Sequence, residues 1–401
     1  MLRVLTLSTL FPDRTRPNFG VFVERQTLGL AAVGGVAVQV VAPIGLPPGP
    51  LALIQHADRL TLPTRETWRG LDVHRPRFTA IPGVGGRWHA HHLQRALEPV
   101  LDAIRETFAF DVIDASFFFP DGPAAVALGE RYGVPVSIKA RGADIHHWGT
   151  MGPTAPQVLA AAEAADGLLA VSAAMRADMV ALGMPAEAIR VHHTGVDLDR
   201  FRLADRAAAK AELGIDGPAV LSLGALIPRK GHRLVLDAVA RLPGVTLLIA
   251  GEGPDRVALL ALAEQLGVGE RVRLLGGVAH ERMPALLAAA DVMALASTSE
   301  GLANAWLEAL ACGTPLIISA AGGAREVVTS AAAGRIAMCD PTAFAQAIAA
   351  VLAERPDPAA VRAVAARFTW DANTAALVDH LSGLVARGRR VAARRLQASS
   401  G

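Results

Sequence analysis

Lysine is almost missing from this chain of 401 residues, occurring only at positions 139, 210 and 230. Arginine carries nearly all the positive charge, and with the many alanines this reads as genomic base composition rather than function. Cysteine is as scarce. Cys312 and Cys339 are the only two, which excludes a disulfide scaffold and a multi-cysteine zinc site and fits a reducing compartment. Charge of one sign is lacking too. Lys plus Arg is 39 against 37 for Asp plus Glu, a net charge of +2, so the basic excess of a dedicated nucleic-acid binder is absent. Long apolar runs are missing as well. A membrane span needs roughly 18–20 uncharged apolar residues, and the best candidate, Val158 to Val171, is broken by Glu163 and Asp166. The apolar run Val4 to Phe11 is short and is followed by Pro12-Asp13-Arg14 instead of a small-residue cleavage site. It reads as a first β-strand rather than a secretory signal. These absences predict a soluble, cytoplasmic protein with peripheral membrane contact left open. What is present is apolar mass: 52% hydrophobic against 19% charged residues. That composition provides a large core, excludes global disorder and, at this length, suggests two or three domains.

Short apolar runs alternate with Ala/Leu-rich helical stretches. The candidate strands are Val4–Ser8, Val36–Val41, Val112–Ala115, Val134–Ile138, Leu168–Val171 and Ile189–His192, then Ala219–Leu223, Val245–Ala250, Val272–Leu275, Val292–Ala296, Leu316–Ile318 and Arg335–Met338. Continuous rather than alternating apolar runs mark strands buried on both faces of a parallel sheet. Helices such as Arg256–Leu266 and Met283–Ala290 fall between them. Strand–helix repetition predicts doubly wound α/β architecture. Two sets of about six strands predict two Rossmann-like domains, 1–197 and 198–368, rather than one very wide sheet. Ligands in such sheets bind outside the carboxyl strand ends, so two facing sheets would form an interdomain cleft. Residues 44–92 stand apart as a long Pro/Gly-rich connection carrying Arg59, Arg65, Arg69, Arg75, Arg77 and Arg87 against Asp58, Glu66 and Asp72. A connection of that length is usually functional or disordered. The tail from Arg387 to Arg395 holds five arginines and no acid. Each reads either as a solvated surface or as a contact for an anionic ligand or membrane.

The most informative stretch runs Ser297-Thr-Ser-Glu300-Gly301-Leu302-Ala303-Asn304-Ala-Trp-Leu-Glu308-Ala-Leu-Ala-Cys312-Gly313-Thr-Pro315. It follows a strand and opens a helix that Cys312-Gly313 and the proline end. If both acids were helical their Cα atoms would stand roughly 12 Å apart. That is too far for a carboxylate pair acting on one bond and suits the two ends of an extended ligand. The helix N-terminus between them offers free N–H groups to a pyrophosphate. The plainer alternative is a capping Glu300 and a surface Glu308. A second stretch, Leu223-Gly224-Ala225-Leu226-Ile227-Pro228-Arg229-Lys230-Gly231-His232, puts adjacent cations Arg229 and Lys230 on a loop at a carboxyl strand end. Such a pair neutralises a diphosphate leaving group, or forms a solvated turn.

Together these stretches, with Gly322-Gly323-Ala-Arg-Glu326 after them, closely resemble the signature of family 4 glycosyltransferases of GT-B fold. Arg229-Lys230-Gly231 resembles the family's Lys-Gly phosphate motif, Ala250-Gly251-Glu252-Gly253-Pro254 its Gly-x-Gly-Pro turn, and Val171-Ser172 with Thr194-Gly195-Val196-Asp197…Phe201 its interdomain marks. The opening Thr9-Leu-Phe-Pro12…Pro17-Asn-Phe-Gly20-Val-Phe-Val resembles members that build bacterial surface polysaccharides. The resemblance implies an enzyme moving a sugar from a nucleotide diphosphate sugar to an acceptor hydroxyl, with retention and without a metal cofactor. It implies that Glu300 holds donor sugar hydroxyls, Glu308 the ribose hydroxyls, and Arg229 and Lys230 the diphosphate. The amides of Gly301, Leu302, Ala303 and Asn304 would face the donor, and Gly20 would let the first loop approach it. The acceptor would sit on the N-terminal domain, as a glycan or polyprenyl-linked sugar at the inner membrane face. A final helix, 369–401, would pack back on that domain. Two departures stand out. Ala225 occupies the place of a frequent arginine before the Lys-Gly motif, which Arg229 can replace. Arg141-Gly142-Ala143-Asp144 stands where many members have His-Gly-x-Asp against the donor sugar, so Arg141 contacts sugar or phosphate or is structural, with Asp144 beside it. A nucleotide-sugar epimerase or hydrolase and a silent nucleotide-sugar-binding scaffold are the alternatives.

Weaker signals point elsewhere. Gly251-x-Gly253 lacks the third glycine and the later acid of a dinucleotide fingerprint. The clusters His89/His91/His92 and His146/His147 lack a carboxylate at metal-ligand spacing and read as structural or surface residues. Cys312 reads as a small core residue.

Overall fold

The computed structural model describes residues 1–83 and 86–399. Of the arginine tail only the Arg387 side chain is among those described, and residues 400 and 401 lie outside the described residues. The chain forms two units: Met1–His193 together with the chain from Trp370 onward, and Thr194–Thr369. The seam precedes the boundary anticipated after Asp197. The physical reason is that residues 194–201 are stitched into the second unit. Val196 N donates to Phe368 O at 2.7 Å, and the Arg362 guanidinium donates to the carbonyls of Leu198 at 2.8 Å and Phe201 at 2.5 Å. The polar run at Asp199–Arg202 is therefore folded surface rather than linker.

The first unit contains β1 (Leu2–Leu7), β2 (Val36–Val41), β3 (Ile44–Leu46), β4 (Arg65–Trp68), β5 (Leu71–His74), β6 (Arg77–Thr79), β7 (Val112–Ala115), β8 (Val136–Ala140), β9 (Gly167–Ala170) and β10 (Ile189–Val191). Eight of these form one sheet in the order β10-β9-β8-β7-β1-β2-β5-β4, parallel except for the β4–β5 hairpin. The order reverses between β1 and β7, which opens a crevice at their carboxyl ends. One face is covered by the helix Val21–Ala32 and by the final helix, which begins at Trp370. Leu377, Leu381 and Leu384 recur at helical spacing and bury against Val4, Leu30, Val112 and Leu169.

Residues 44–92 are not a structureless connection. They build β3 to β6, the helix Pro50–Leu60 and the start of the helix Gly86–Thr107. These strands are three or four residues long, too short for a continuous apolar run. Their arginines are largely spent internally. Arg75 is 1% exposed and donates to Glu66 Oε1 at 2.5 Å and to Pro12 O at 2.8 Å. Arg65 pairs with Asp72 at 2.8 Å and Arg69 with Glu24 at 3.4 Å. Arg77 donates to the carbonyls of Leu60 and Leu62, and Arg59 to that of Gly45. Beside its charged surface this lobe also exposes apolar residues: Leu51, Leu53 and Ile54 on the helix Pro50–Leu60.

The second unit contains β11 (Ala219–Leu223), β12 (Thr246–Ala250), β13 (Val272–Gly276), β14 (Val292–Leu295), β15 (Leu316–Ile318) and β16 (Gly334–Ile336). All are parallel, in the order β13-β12-β11-β14-β15-β16. Val220, Leu247, Ile249, Val292, Ala294 and Ile317 bury against helix residues Val235, Leu236, Val239, Phe344 and Ile348. The order reverses between β11 and β14, so the loops leaving these two strands flank the crevice at the switch point. Among the described residues no helix is long and apolar enough to cross a membrane.

Candidate active site

The loop after β11 carries Arg229 and Lys230, and the loop after β14 carries Glu300. The switch point therefore brings together residues 70 positions apart in sequence. Lys230 Nζ donates to Glu300 Oε1 at 2.5 Å. Arg229 Nη1 donates to Ser299 O at 2.5 Å and stands 3.9 Å from Glu300 Oε2. One carboxylate thus faces two cations. The Glu300 side chain is 8% exposed, that of Lys230 16% and that of Arg229 44%, so the pair is sheltered at its base and open on the arginine side. Backbone bonds fix both loops: Thr298 N donates to Arg229 O at 2.9 Å, and Leu226 N to Glu252 O at 2.8 Å.

Glu300 is neither helical nor a cap. The helix starts at Asn304, with Ala303 as an extended N-cap residue that gives no side-chain hydrogen bond. The spacing derived for two helical acids therefore does not apply, because residues 297–303 run as a loop. Gly301 O accepts from Gly323 N at 2.8 Å. Gly322 lies at φ 52° with its Cα against this turn, where a Cβ would stand 2.2 Å from Glu300 O; only glycine lets the Gly322-Gly323 segment press on the Glu300 backbone. With no side-chain cap, the first amides of the helix are available to an anion beside Leu302, Ala303 and Asn304.

Glu308 lies on this helix, 18% exposed, with His280 Nε2 at 3.8 Å from Oε1. Burial pushes its carboxyl up to about 7, against the pull of Arg200. The sign follows. A folded-state value raised above the unfolded one means that stability from this group is present below the unfolded value and is lost as pH rises towards 7. If the carboxylate accepts ribose hydroxyls, the affinity for a nucleotide sugar falls about tenfold per pH unit below 7 and is level above it. Calorimetric titration between pH 5.5 and 8.5 checks this, and Glu308→Gln flattens the profile.

His232 has no motif that marks it in the sequence. It is buried, accepts at Nδ1 from Ser222 Oγ at 2.8 Å and donates from Nε2 to Ala225 O at 3.1 Å. Burial holds it below the usual histidine range, so it stays neutral and ties the β11 loop down. Its position two residues past Lys230 was the available signal. Cys312 is buried, its thiol pushed up to about 12 by burial and by Glu308, as befits a core side chain. Three of the clustered histidines make structural contacts: His89 Nε2 with Ile81 O, His92 Nδ1 with Thr79 O and His146 Nε2 with Asp178.

The first unit holds the remaining candidates. Gly20 caps the helix Val21–Ala32 at φ 73°, and a Cβ there would stand 2.4 Å from Leu10 O, so the glycine serves the loop's own folding. Asp144 is turned inward. Its carboxylate accepts from the amides of Phe118 at 3.0 Å, Arg141 at 3.0 Å and Gly142 at 2.7 Å, and burial raises its carboxyl against those bonds. Arg141 follows β8, half-buried, donating from Nε to Ser116 O at 3.1 Å and from Nη2 to Gln26 Oε1 at 3.2 Å.

Residues 205–367 match the family described as Glycosyl transferases group 1, and residues 20–200 match Glycosyltransferase Family 4. Between them the two matches span most of the chain, which is a family 4-like protein of GT-B fold. The chain is 40% identical over 206 residues to the D-inositol 3-phosphate glycosyltransferase of Mycobacterium avium, a stretch covering 47% of this chain and 48% of that protein. The chain thus spans about half the length of the curated relatives it matches. Its fold is similar to the sucrose-phosphate synthase from Thermosynechococcus elongatus, with a TM-score of 0.79 at 22% identity over 96% of this chain and 100% of that chain. It is similar also to Anabaena HepE in complex with UDP-glucose, with a TM-score of 0.73 at 20% identity and the same coverage.

Proposed function

We propose that this protein is a retaining glycosyltransferase that moves a sugar from a nucleotide diphosphate sugar to an acceptor hydroxyl. The observation that carries the reading is the convergence of Lys230 and Arg229 on Glu300 at the switch point of the second sheet. In the free protein the three charges hold one another. When the donor binds, Lys230 and Arg229 take the diphosphate, and Glu300 accepts hydrogen bonds from the sugar hydroxyls. Fixed cations at the departing oxygen stabilise the charge that develops there, which makes a divalent metal unnecessary. The uncapped amides beside Asn304 add to that stabilisation, and Glu308 holds the ribose. Glu300 is engaged by two cations, which suits a binding role better than attack on the sugar. The acceptor hydroxyl adds to the sugar carbon from the face the diphosphate leaves. The bond to the diphosphate oxygen breaks, and the hydroxyl proton passes to that oxygen.

The second unit then serves the donor and the first the acceptor. The acceptor is a lipid-linked glycan of a cell-surface polysaccharide, met at the cytoplasmic membrane face. Support for a lipid surface comes from the exposed Leu51, Leu53 and Ile54 rather than from the arginines of that lobe, which are mostly committed internally.

The test is a panel of nucleotide sugars incubated with a polyprenyl-linked acceptor in anionic vesicles and excess chelator, with the product anomer read by NMR. The reading expects transfer with retention and flotation of the protein with the vesicles. Donor consumption at equal rate without acceptor would make the protein a hydrolase or epimerase, and donor binding without turnover a scaffold. Transfer without flotation would remove the membrane.

A further inference from the structure

Beneath the helix Val21–Ala32, the first unit holds a buried set of polar groups that the transfer step does not use. Gln26, Lys139, Asp114 and His192 are 1%, 0%, 1% and 3% exposed. Lys139 Nζ donates to Gln26 Oε1 at 3.0 Å and meets His192 Nδ1 at 2.8 Å. His192 Nε2 lies 2.8 Å from the Asn373 carbonyl, which can only accept. The ring proton is therefore on Nε2, and Nδ1 accepts from the lysine. Gln26 Oε1 also accepts from Arg141 Nη2 at 3.2 Å, while Gln26 Nε2 faces Asp114 Oδ2 at 3.5 Å. Two obligate donors on one side and an acceptor on the other fix which way this amide points.

Phe22 is one helical turn before Gln26, so both side chains lie on one face of that helix. The Arg141 guanidinium sits 4.9 Å from the Phe22 ring centroid. A ring face, an amide oxygen and the Ser116 carbonyl thus hold one half-buried guanidinium at the carboxyl end of β8. Lys139 does not reach the crevice through any of these contacts; its part is to lock the Gln26 oxygen towards Arg141.

We infer that Gln26 and Phe22 are positioning residues that aim Arg141 at the substrate, with Lys139 and Asp114 fixing the orientation of the Gln26 amide. This rests on the proposed function, in which the first unit serves the acceptor. The measurement is steady-state kinetics with the donor identified by the nucleotide-sugar panel, supported by thermal unfolding of each variant. Arg141→Ala lowers kcat/KM. Gln26→Leu lowers it about tenfold, as loss of a buried hydrogen bond to a charged group does, with the larger part in KM, and has no further effect in the Arg141→Ala background. Gln26→Glu alone sets a second carboxylate against Asp114 and lowers kcat/KM. Adding Asp114→Asn supplies an amide donor to that carboxylate and restores most of the loss, which a role in packing alone would not do. Equal loss from Gln26→Leu in both backgrounds, or no recovery in the Gln26→Glu/Asp114→Asn pair, overturns the inference. An Arg141→Ala variant with full kcat/KM overturns the Arg141 reading itself. If Gln26→Leu does not fold, Phe22→Leu replaces it, since it removes only the ring face, and the same non-additivity with Arg141→Ala is required.

Discussion

Lys230→Met and Glu300→Gln each lower kcat/KM by about 10²- to 10³-fold, the loss typical of one preorganised charge-stabilising contact in a transition state. The choice of substitutes follows from the geometry. The Lys230 stem runs along Gly224, where a Cβ would meet Lys230 Cδ at 3.5 Å, and methionine keeps that stem while removing the charge. Glutamine keeps the shape of Glu300 and leaves a neutral acceptor. Neither change strands an isolated charge. Arg229 remains 3.9 Å from Glu300 in the first variant, and the 16% exposed Lys230 retains solvent in the second. The unfolding midpoint therefore shifts little while activity falls. Initial rates and calorimetry on the same preparations separate the two effects, and wild-type rates in both variants would dissolve the site assignment.

Trp306→Ala has the largest effect expected on stability, about 3–5 kcal/mol. Trp306 is 0% exposed on the helix that carries Glu308. Its indole N–H finds no acceptor among the described residues, which makes Trp306→Phe informative. That variant gives up part of the ring contact but relieves an unsatisfied buried donor, so it costs about 1 kcal/mol or less. Chemical denaturation of the two variants measures the difference. A phenylalanine variant as unstable as the alanine one would mean that the N–H is satisfied after all.

All twelve anticipated strands exist, with ends displaced by at most two residues. Parallel strands covered on both faces, such as Val292–Leu295, leave an unbroken apolar run that loops do not imitate. Residues 44–92 were illegible for the opposite reason. Arg65–Trp68 is an edge strand with alternate residues exposed, and its fixing contacts, such as Arg75 with Glu66 and Pro12, depend on the tertiary fold. In the site, Lys230 and Glu300 were legible as residue types, but their 2.5 Å contact arises only from the strand order that sets β11 beside β14. Glu300 looked helical because its apolar neighbours carry helical periodicity, whereas the extended Ala303 starts the helix later. Asp144 accepts from three backbone amides, a role that has no sequence signature. Gln26 had none either, since its partners lie 88 to 115 positions away.

The stitch from Val196 to Phe368 holds the entry and exit of the second unit within one hydrogen bond of each other. Topologically, Thr194–Thr369 is a closed cassette spliced into its host through a single doorway. Such a module can be circularly permuted, or exchanged between homologues, with a linker of only a few residues, because its two ends already stand side by side.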